Sequence, residues 1–140
     1  MQWYVYAFLS AIFAAVVAIL GKIGVADINS NLATAVRTIV IVIFAWGIVF
    51  AQGTYKQIWN IPKHTIIFLI LSGIATGLSW LFYFRALQMG TASQVAPIDK
   101  FSLVLTIVFA LLFLKEKITL SVFAGVICIT IGTLLVLLNK

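Results

Sequence analysis

Ionisable residues inside apolar segments are the part of this sequence best suited to chemistry. Arg37, Asp99 and Lys100 lie within long apolar runs, and Arg85 lies at the end of another. Because charge in hydrocarbon is costly, such residues usually line a water-filled cavity or the path of a solute. They would then bind a charged solute or form a gate. The alternative is that the basic side chains reach back to the lipid headgroups while Asp99 caps a helix or forms an ion pair.

A polar stripe accompanies these charges in the third apolar run. Ser72, Thr76, Ser79 and Tyr83 are spaced by four, three and four residues, which places them on one helix face with Trp80 beside them. Such a stripe suits the wall of a central cavity. The alternative is that the hydroxyls bond to carbonyls of their own helix and that Trp80 faces lipid.

Other kinds of site lack the residues they would need. The sequence has three acidic residues, one histidine and one cysteine, and it contains no nucleophile triad, phosphate-binding glycine loop or metal-ligand spacing. Cys128 lies in an apolar run, where a thiol behaves as a small hydrophobe, and His64 lies at a helix boundary beside Lys63. The basic residues are scattered, without the cluster that nucleic acid would need. We therefore expect no enzyme activity, no metal, no cofactor and no nucleic-acid partner.

Five apolar segments must position these residues. The chain is 64% hydrophobic and 9% charged, which excludes a water-soluble fold. Crossing a hydrocarbon core of about 30 Å takes a helix of about 20 residues. Runs of that length fall at 3–20, 32–51, 65–84, 95–114 and 118–138. The sequence predicts one all-α domain over 1–140, a polytopic membrane bundle of five transmembrane helices.

The predicted spans bring the charged residues to one side of the membrane. The second and fourth spans start on the side where the third ends, so Arg37, Arg85, Asp99 and Lys100 should share one leaflet. Either arginine would then pair with Asp99. Asp99 and Lys100 are neighbours about 100° apart on a helix, so we expect them not to pair with each other. Pro97 should lie in the first turn of its helix, where a missing N–H is tolerated.

Small residues mark two helix faces suited to close packing. Gly73 and Gly77 form a small-xxx-small spacing in the third span, and Gly125 and Gly132 lie on one face of the fifth. In lipid, such faces let two helix backbones approach closely. The contact would be made either within the chain or with a second copy.

Three stretches carry a resemblance to a known family. They are Tyr83-Phe-Arg-Ala-Leu-Gln-Met-Gly90, Ala92-Ser-Gln-Val-Ala-Pro97 and Leu114-Lys-Glu-Lys-Ile-Thr119, and together they resemble the EamA domain of the drug/metabolite transporter superfamily. Lys22 also falls where such domains often carry lysine. The match departs at Asp99-Lys-Phe-Ser102, where many members have a further proline.

The resemblance implies a secondary transporter of small organic metabolites that works by alternating access in a prokaryotic inner or plasma membrane. Typical members have ten helices in two five-helix repeats of opposite orientation, so this chain resembles one repeat and should need a partner. A single repeat can recreate the interface of inverted repeats by pairing two copies antiparallel.

The distribution of basic residues permits such a dimer. One membrane side receives Lys56, Lys63, Lys115 and Lys117, and the other receives Lys22, Arg85 and Lys140, plus Arg37 and Lys100 if residues within spans are counted. Because orientation follows a clear Lys/Arg bias, a tally of four against three or five specifies it poorly and allows dual topology.

The charge at the predicted cavity mouth indicates which charge the solute should carry. Two arginines and one lysine beside a single aspartate give a net positive site, which favours anionic or zwitterionic solutes. The first span has no acidic residue, so the proton-coupled export of cations known for the related small multidrug resistance exporters is not expected. The alternative function is a non-transporting subunit or packing partner in a larger membrane complex.

Overall fold

The structure is a set of helices whose order follows the five apolar runs. A computed structural model describes residues 2–138, so Lys140 of the charge tally lies outside the described residues. The helices are α1 (Trp3–Gly24), α2 (Ser30–Ala51), a 3₁₀ helix (Thr54–Asn60), α3 (Lys63–Met89), α4 (Ala92–Asp99), α5 (Phe101–Phe109), a π-helical turn (Ala110–Leu114) and α6 (Leu120–Leu138).

Five helical segments are long and apolar enough to cross a membrane. They are α1, α2, α3, α6 and the segment Ala92–Leu114, which combines α4, α5 and the π-helical turn. Large apolar side chains point outwards along them; Phe82, for example, is 73% exposed. Helices that are apolar all round are stable only where lipid or protein covers them. The predicted all-α membrane bundle of five spans is confirmed.

The second span begins closer to the first than the sequence suggests. Helix α1 continues to Gly24, and α2 starts at Ser30, where the Asn29 side chain accepts a hydrogen bond from the Asn31 amide (2.9 Å). An asparagine at this position caps a helix because its oxygen satisfies a free N–H of the first turn. Arg37 therefore lies seven residues after the start of α2, or about 10 Å along the helix.

The third span runs further than predicted. The residues from Arg85 to Met89 were expected in a turn, but they form the last turns of α3. All five residues, Arg-Ala-Leu-Gln-Met, are strong helix formers, and no proline or glycine interrupts them. The connection to α4 shrinks to Gly90 and Thr91, so Arg85 lies within the helix.

The fourth span is interrupted at Lys100, and the expectation that Pro97 lies in the first turn of its helix is wrong. Helix α4 starts at Ala92, so Pro97 lies inside it and not in its first turn. Proline lacks the N–H that would bond the carbonyl four residues earlier, and it weakens the helix at that point. Two residues later α4 ends, and the Lys100 amide donates to the carbonyls of Ala96 (3.3 Å) and Pro97 (3.1 Å) before α5 begins.

The connection between the last two spans is longer than the predicted three residues. The π-helical turn ends at Leu114, and the next residue, Lys115, adopts the left-handed conformation (φ 55°). The Glu116 amide donates to the Ala110 carbonyl (3.3 Å). Helix α6 begins only at Leu120, after the Thr119 hydroxyl, which accepts a hydrogen bond from the Val122 amide (3.4 Å). Helices α5 and α6 contact each other, as so short a connection requires.

The described chain divides into two compact units. One unit is Leu20–Met89, which holds the end of α1 with α2 and α3; we call it the α2–α3 unit. The other consists of the described residues on either side of it and contains α4, α5 and α6; we call it the α4–α6 unit. Candidate site residues occur in both units.

Candidate functional site

In the α2–α3 unit, Arg37 of α2 lies against two aromatic rings of α3. Its Cζ atom is 4.3 Å from the ring centroid of Trp80 and 5.0 Å from that of Phe84. These two residues are four apart and so share one face of α3. A guanidinium over an aromatic ring is attracted by the negative ring face, more strongly where water is excluded. The structure thus brings together two of the predicted site residues, Arg37 and Trp80.

One nitrogen of this guanidinium makes no hydrogen bond to the described residues. Arg37 Nη1 is buried and has no hydrogen-bond partner among residues 2–138. A buried donor without a partner is costly, and in a native protein it usually indicates a missing ligand, water or ion. The cation is therefore held by rings on its face and retains capacity for an anion at its edge.

The α2 face that carries Arg37 is built from small polar residues. Ser30 and Thr34 are buried and precede Arg37 at spacings of seven and three residues. The Thr34 hydroxyl donates to the Ser30 carbonyl (2.9 Å), so it is satisfied within its own helix. This leaves Arg37 as the group on this face with an unsatisfied donor, among the residues that the structure describes.

The end of α1 fixes the position of the Phe84 ring. Phe84 and Leu87 are almost fully buried, and a Cβ at Gly21 would lie 3.2 Å from Phe84 Cε1 and 3.4 Å from Leu87 Cδ1. A Cβ here would be in tight contact with the Phe84 ring, so glycine at 21 suits the close approach of α1. A larger residue at 21 would push the ring that faces Arg37.

Side chains bonded to backbone carbonyls fasten the same end of α3. Lys22 Nζ donates to the Leu87 carbonyl (2.6 Å), and Gln88 Nε2 donates to the Ile28 carbonyl (2.8 Å). Arg85 Nη1 in turn donates to Gln88 Oε1 (2.8 Å). Gln88 was not predicted as a site residue, because one amide near a helix end has nothing to distinguish it from a solvated residue.

Arg37 and Arg85 lie in different surroundings, at different faces of α3. Arg85 follows Phe84 directly and so points about 100° away from it around α3. It lines a groove with Asn29 and Asn31 at the start of α2. The two arginines of the predicted gate therefore do not form one cluster with the Trp80 and Phe84 rings.

In the α4–α6 unit, Asp99 and Lys100 form an ion pair, so the expectation that they would not pair is wrong. Lys100 Nζ lies 3.6 Å from Asp99 Oδ2, and the side chains are 52% and 36% exposed. The reason lies in the side chain and not in the backbone: Lys100 stays in the right-handed helical region (φ −67°, ψ −9°), but its long flexible stem reaches the neighbouring carboxylate. The pairing of Asp99 with an arginine stays a prediction.

Helix α6 supplies a donor at this break. The Thr133 hydroxyl donates to the Pro97 carbonyl (3.4 Å), and Thr133 is buried. The Pro97 carbonyl also accepts from the Lys100 amide, and its second lone pair is available to Thr133. Thr133 was not predicted, because a lone threonine in an apolar span most often bonds its own helix.

Comparison with known proteins identifies the family. The model of the EamA-like transporter family matches residues 1–138. The chain belongs to this family. It is therefore a membrane transporter and a multi-pass integral membrane protein with a small-molecule substrate, and the resemblance stated from the sequence is confirmed.

Two relatives of this EamA chain are similar over much of their length. An uncharacterized transporter in the cobO 3′ region of Sinorhizobium sp. is 50% identical over 134 residues, which are 96% of this chain and 95% of the relative. An uncharacterized protein of Methanocaldococcus jannaschii is 30% identical over 86 residues, 61% of this chain and 63% of the relative. No solved structure gives a significant match.

The polar stripe of the EamA chain is exposed for most of its length. Ser72, Thr76 and Ser79 are exposed, and Tyr83 is half-buried. The Thr76 hydroxyl donates to the Ser72 carbonyl (2.9 Å), which is the bonding to its own helix considered as the alternative. Its role as a cavity wall stays a prediction.

The predicted packing glycines are open in the EamA chain. A Cβ at Gly73, Gly77, Gly125 or Gly132 would meet no described atom within 4 Å. These faces therefore make no close backbone contact within the described residues, and their contact with a second copy stays a prediction. Among residues 2–138, no three His, Cys, Asp or Glu side chains come together as a metal site would require.

Proposed function

We propose that this EamA chain transports small organic anions or zwitterions by alternating access, as an antiparallel homodimer in a prokaryotic inner membrane. The observation that carries the proposal is the Arg37 guanidinium, which lies within a membrane-spanning helix against Trp80 and Phe84 with Nη1 unpartnered among the described residues. We propose no catalytic role for these residues.

The arrangement of Arg37 supports a carboxylate or phosphate as the bound group. A guanidinium carries its N–H donors in its plane, pointing outwards from the edge. Aromatic rings that cover its face leave the edge for a planar anion, which two parallel N–H donors can bind together. Burial strengthens such charge-assisted bonds because little water competes.

The balance of charge around the described residues favours the same class of solute. The chain has three acidic residues, and the one within a span, Asp99, already has Lys100 as a partner. Arg37 has none of them on its own helix or on α3. An anionic group of the solute would therefore supply the counter-charge that Arg37 needs inside the membrane.

Several features support a dimer of opposite orientation. The chain carries one five-helix repeat, and the Lys/Arg tally specifies orientation poorly. The glycines of α3 and α6 and the exposed stripe of α3 offer faces without a close neighbour among the described residues. In an antiparallel pair, the stripes of the two copies would line a shared site near the midplane.

Uptake by proteoliposomes that contain only this protein tests the proposed solute class. We expect accumulation of small carboxylates or zwitterions above protein-free vesicles, reduced at least about tenfold by Arg37→Gln, since a charge-assisted hydrogen bond contributes about 1.5–3 kcal/mol. Lys56→Gln, which removes the same charge from the exposed 3₁₀ helix, should leave uptake unchanged.

Two results would contradict the proposal. A strict preference for organic cations would exclude the solute class. An inert protein that copurifies with another membrane chain would support the alternative of a non-transporting subunit.

The dimer requires its own test. We would place a single cysteine by Lys140→Cys in a Cys128→Ser background and label intact cells from each side of the membrane. Labelling from both sides is the result expected of dual topology. Cross-links formed only between parallel copies would contradict the antiparallel dimer while leaving the solute class intact.

A further inference from the structure

A groove opens on the α2–α3 unit where α2 begins and α3 ends. Its volume is about 420 Å³. Asn29, Asn31 and Arg85 line one end, and Leu78, Leu81 and Phe82 line the other. The groove is thus polar and cationic at the boundary of the spans and apolar towards their middle.

We propose that this groove binds one anionic phospholipid, with its phosphate at Arg85 and an acyl chain along Leu78, Leu81 and Phe82. Charge complementarity at the headgroup and an apolar wall for the chain together specify this occupant. The proposal is independent of the transported solute, because Arg37 lies against another face of α3.

Arg85 is oriented for an external anion. One of its donors, on Nη1, is used by Gln88 Oε1, and Gln88 is itself anchored to the Ile28 carbonyl. A guanidinium has five N–H donors, so the remaining ones are available to a phosphate. The described side-chain partner of Arg85 is a neutral amide, which leaves its positive charge uncompensated.

The distances along α3 fit a phospholipid at the membrane boundary. Arg85 lies four residues before the end of α3 at Met89, or about 6 Å from it. Leu78 lies seven residues before Arg85, about 10 Å deeper. The span from a phosphate to the upper part of an acyl chain is comparable, and basic pockets at this depth attract anionic lipid.

The apolar part of the groove favours a lipid over a soluble anion. Leu78 is 51% exposed and Phe82 is 73% exposed, within a segment that crosses the membrane. A free phosphate would contact only the Arg85 end and leave this wall uncovered. An acyl chain covers it, and the two ends of one molecule then satisfy both parts of the groove.

Native mass spectrometry of the detergent-purified protein tests the proposal without any transport assay. We expect the wild type to retain one phosphatidylglycerol in preference to phosphatidylcholine, and Arg85→Gln to lower that retention about tenfold. The matched control is Lys56→Gln, which removes the same charge away from the groove and should retain the lipid. Leu78→Trp fills the apolar end without changing charge and should also expel the lipid.

Two outcomes would overturn the proposal. The first is that Arg85→Gln or Leu78→Trp, shown by circular dichroism to be folded, retains phosphatidylglycerol as the wild type does. If Arg85→Gln does not fold, the result with Leu78→Trp alone tests the proposal. The second is that millimolar inorganic phosphate displaces the lipid, which would assign the groove to free anions. Either result leaves the proposed transport function untouched, because solute uptake is measured separately.

Discussion

Arg37 and the Asp99–Lys100 pair are both charges within membrane-spanning segments, but they are stabilised in different ways. Arg37 lies in a continuous helix, against the rings of Trp80 and Phe84, with one donor unpartnered among residues 2–138. Asp99 and Lys100 lie where a span breaks, and each is the other's counter-ion. The first arrangement retains the capacity to bind an anion, whereas the second is already neutral.

The contrast shows that a charge in a span is not by itself evidence of a binding site. What distinguishes Arg37 is the absence of a carboxylate in its described surroundings. What distinguishes the pair is that the long Lys100 side chain reaches the carboxylate of its neighbour in sequence. Four substitutions test this contrast, each against a matched control.

Removing the helix break should have the largest effect. Pro97→Ala restores an N–H inside α4, so α4 and α5 should join, and the protein should gain up to about 3 kcal/mol in stability. Thermal unfolding in detergent measures the gain. Pro62→Ala, at the chain's other proline, precedes α3 and should change stability by less than about 1 kcal/mol; an equal gain there would contradict the explanation.

A carboxylate introduced beside Arg37 should neutralise its charge, as Lys100 neutralises the charge of Asp99. Ile41→Glu places a carboxylate four residues after Arg37 on the same helix face. This carboxylate should compete with the solute and lower anion uptake about tenfold, because an intramolecular partner acts at a high effective concentration. Ile41→Gln has the same shape without the charge and should retain most uptake. Equal loss in the two variants would attribute the effect to packing.

Removing the ring over Arg37 should have a smaller effect. Trp80→Leu keeps an apolar side chain but loses the cation–π attraction, which contributes about 1 kcal/mol. The apparent affinity for the solute should fall roughly fivefold. The concentration dependence of uptake measures it, with Trp59→Leu in the exposed 3₁₀ helix as the control. Unchanged affinity in Trp80→Leu would show that this ring does not contribute to solute binding.

Removing one member of the ion pair should have the smallest effect. Exposed ion pairs contribute about 0.2–1 kcal/mol, so Asp99→Asn should lower the free energy of unfolding by less than about 1 kcal/mol. A double-mutant cycle with Lys100→Gln isolates the coupling between the two side chains. Glu116→Gln, in the connection before α6, is the control. A coupling above about 2 kcal/mol would place the pair in a much less solvated environment than its exposure indicates.

The spans and the charges within them could be predicted because both depend on local composition. A run of about 20 apolar residues defines a span wherever it occurs, and Arg37, Asp99 and Lys100 are conspicuous against it. The partners of these charges were harder to predict. The rings that cover Arg37 belong to a helix more than 40 residues away in sequence, and the contact depends on the register between α2 and α3.

The fourth span shows how an error in a predicted helix boundary changes the role predicted for a proline. With α4 placed from residue 95, Pro97 would fall in the first turn and have no consequence. The actual start at Ala92 moves it into the interior of α4. The pairing of Asp99 with Lys100 was not expected because the prediction considered only the directions of the two side chains and not the length of the lysine chain. Gln88 and Thr133 were missed for another reason: each bonds a backbone carbonyl of a distant segment, which no local pattern encodes.

The neutrality of the Asp99–Lys100 pair has an electrical consequence. A membrane potential does work of about 2.3 kcal/mol per elementary charge for each 100 mV crossed. If the broken span flexes at Lys100, the two charges move together, and the displacement carries no net charge through the field. Arg37 has no such companion on α2 or α3. Of these three charges, Arg37 with the solute it holds should therefore be the one that makes the transport rate depend on voltage.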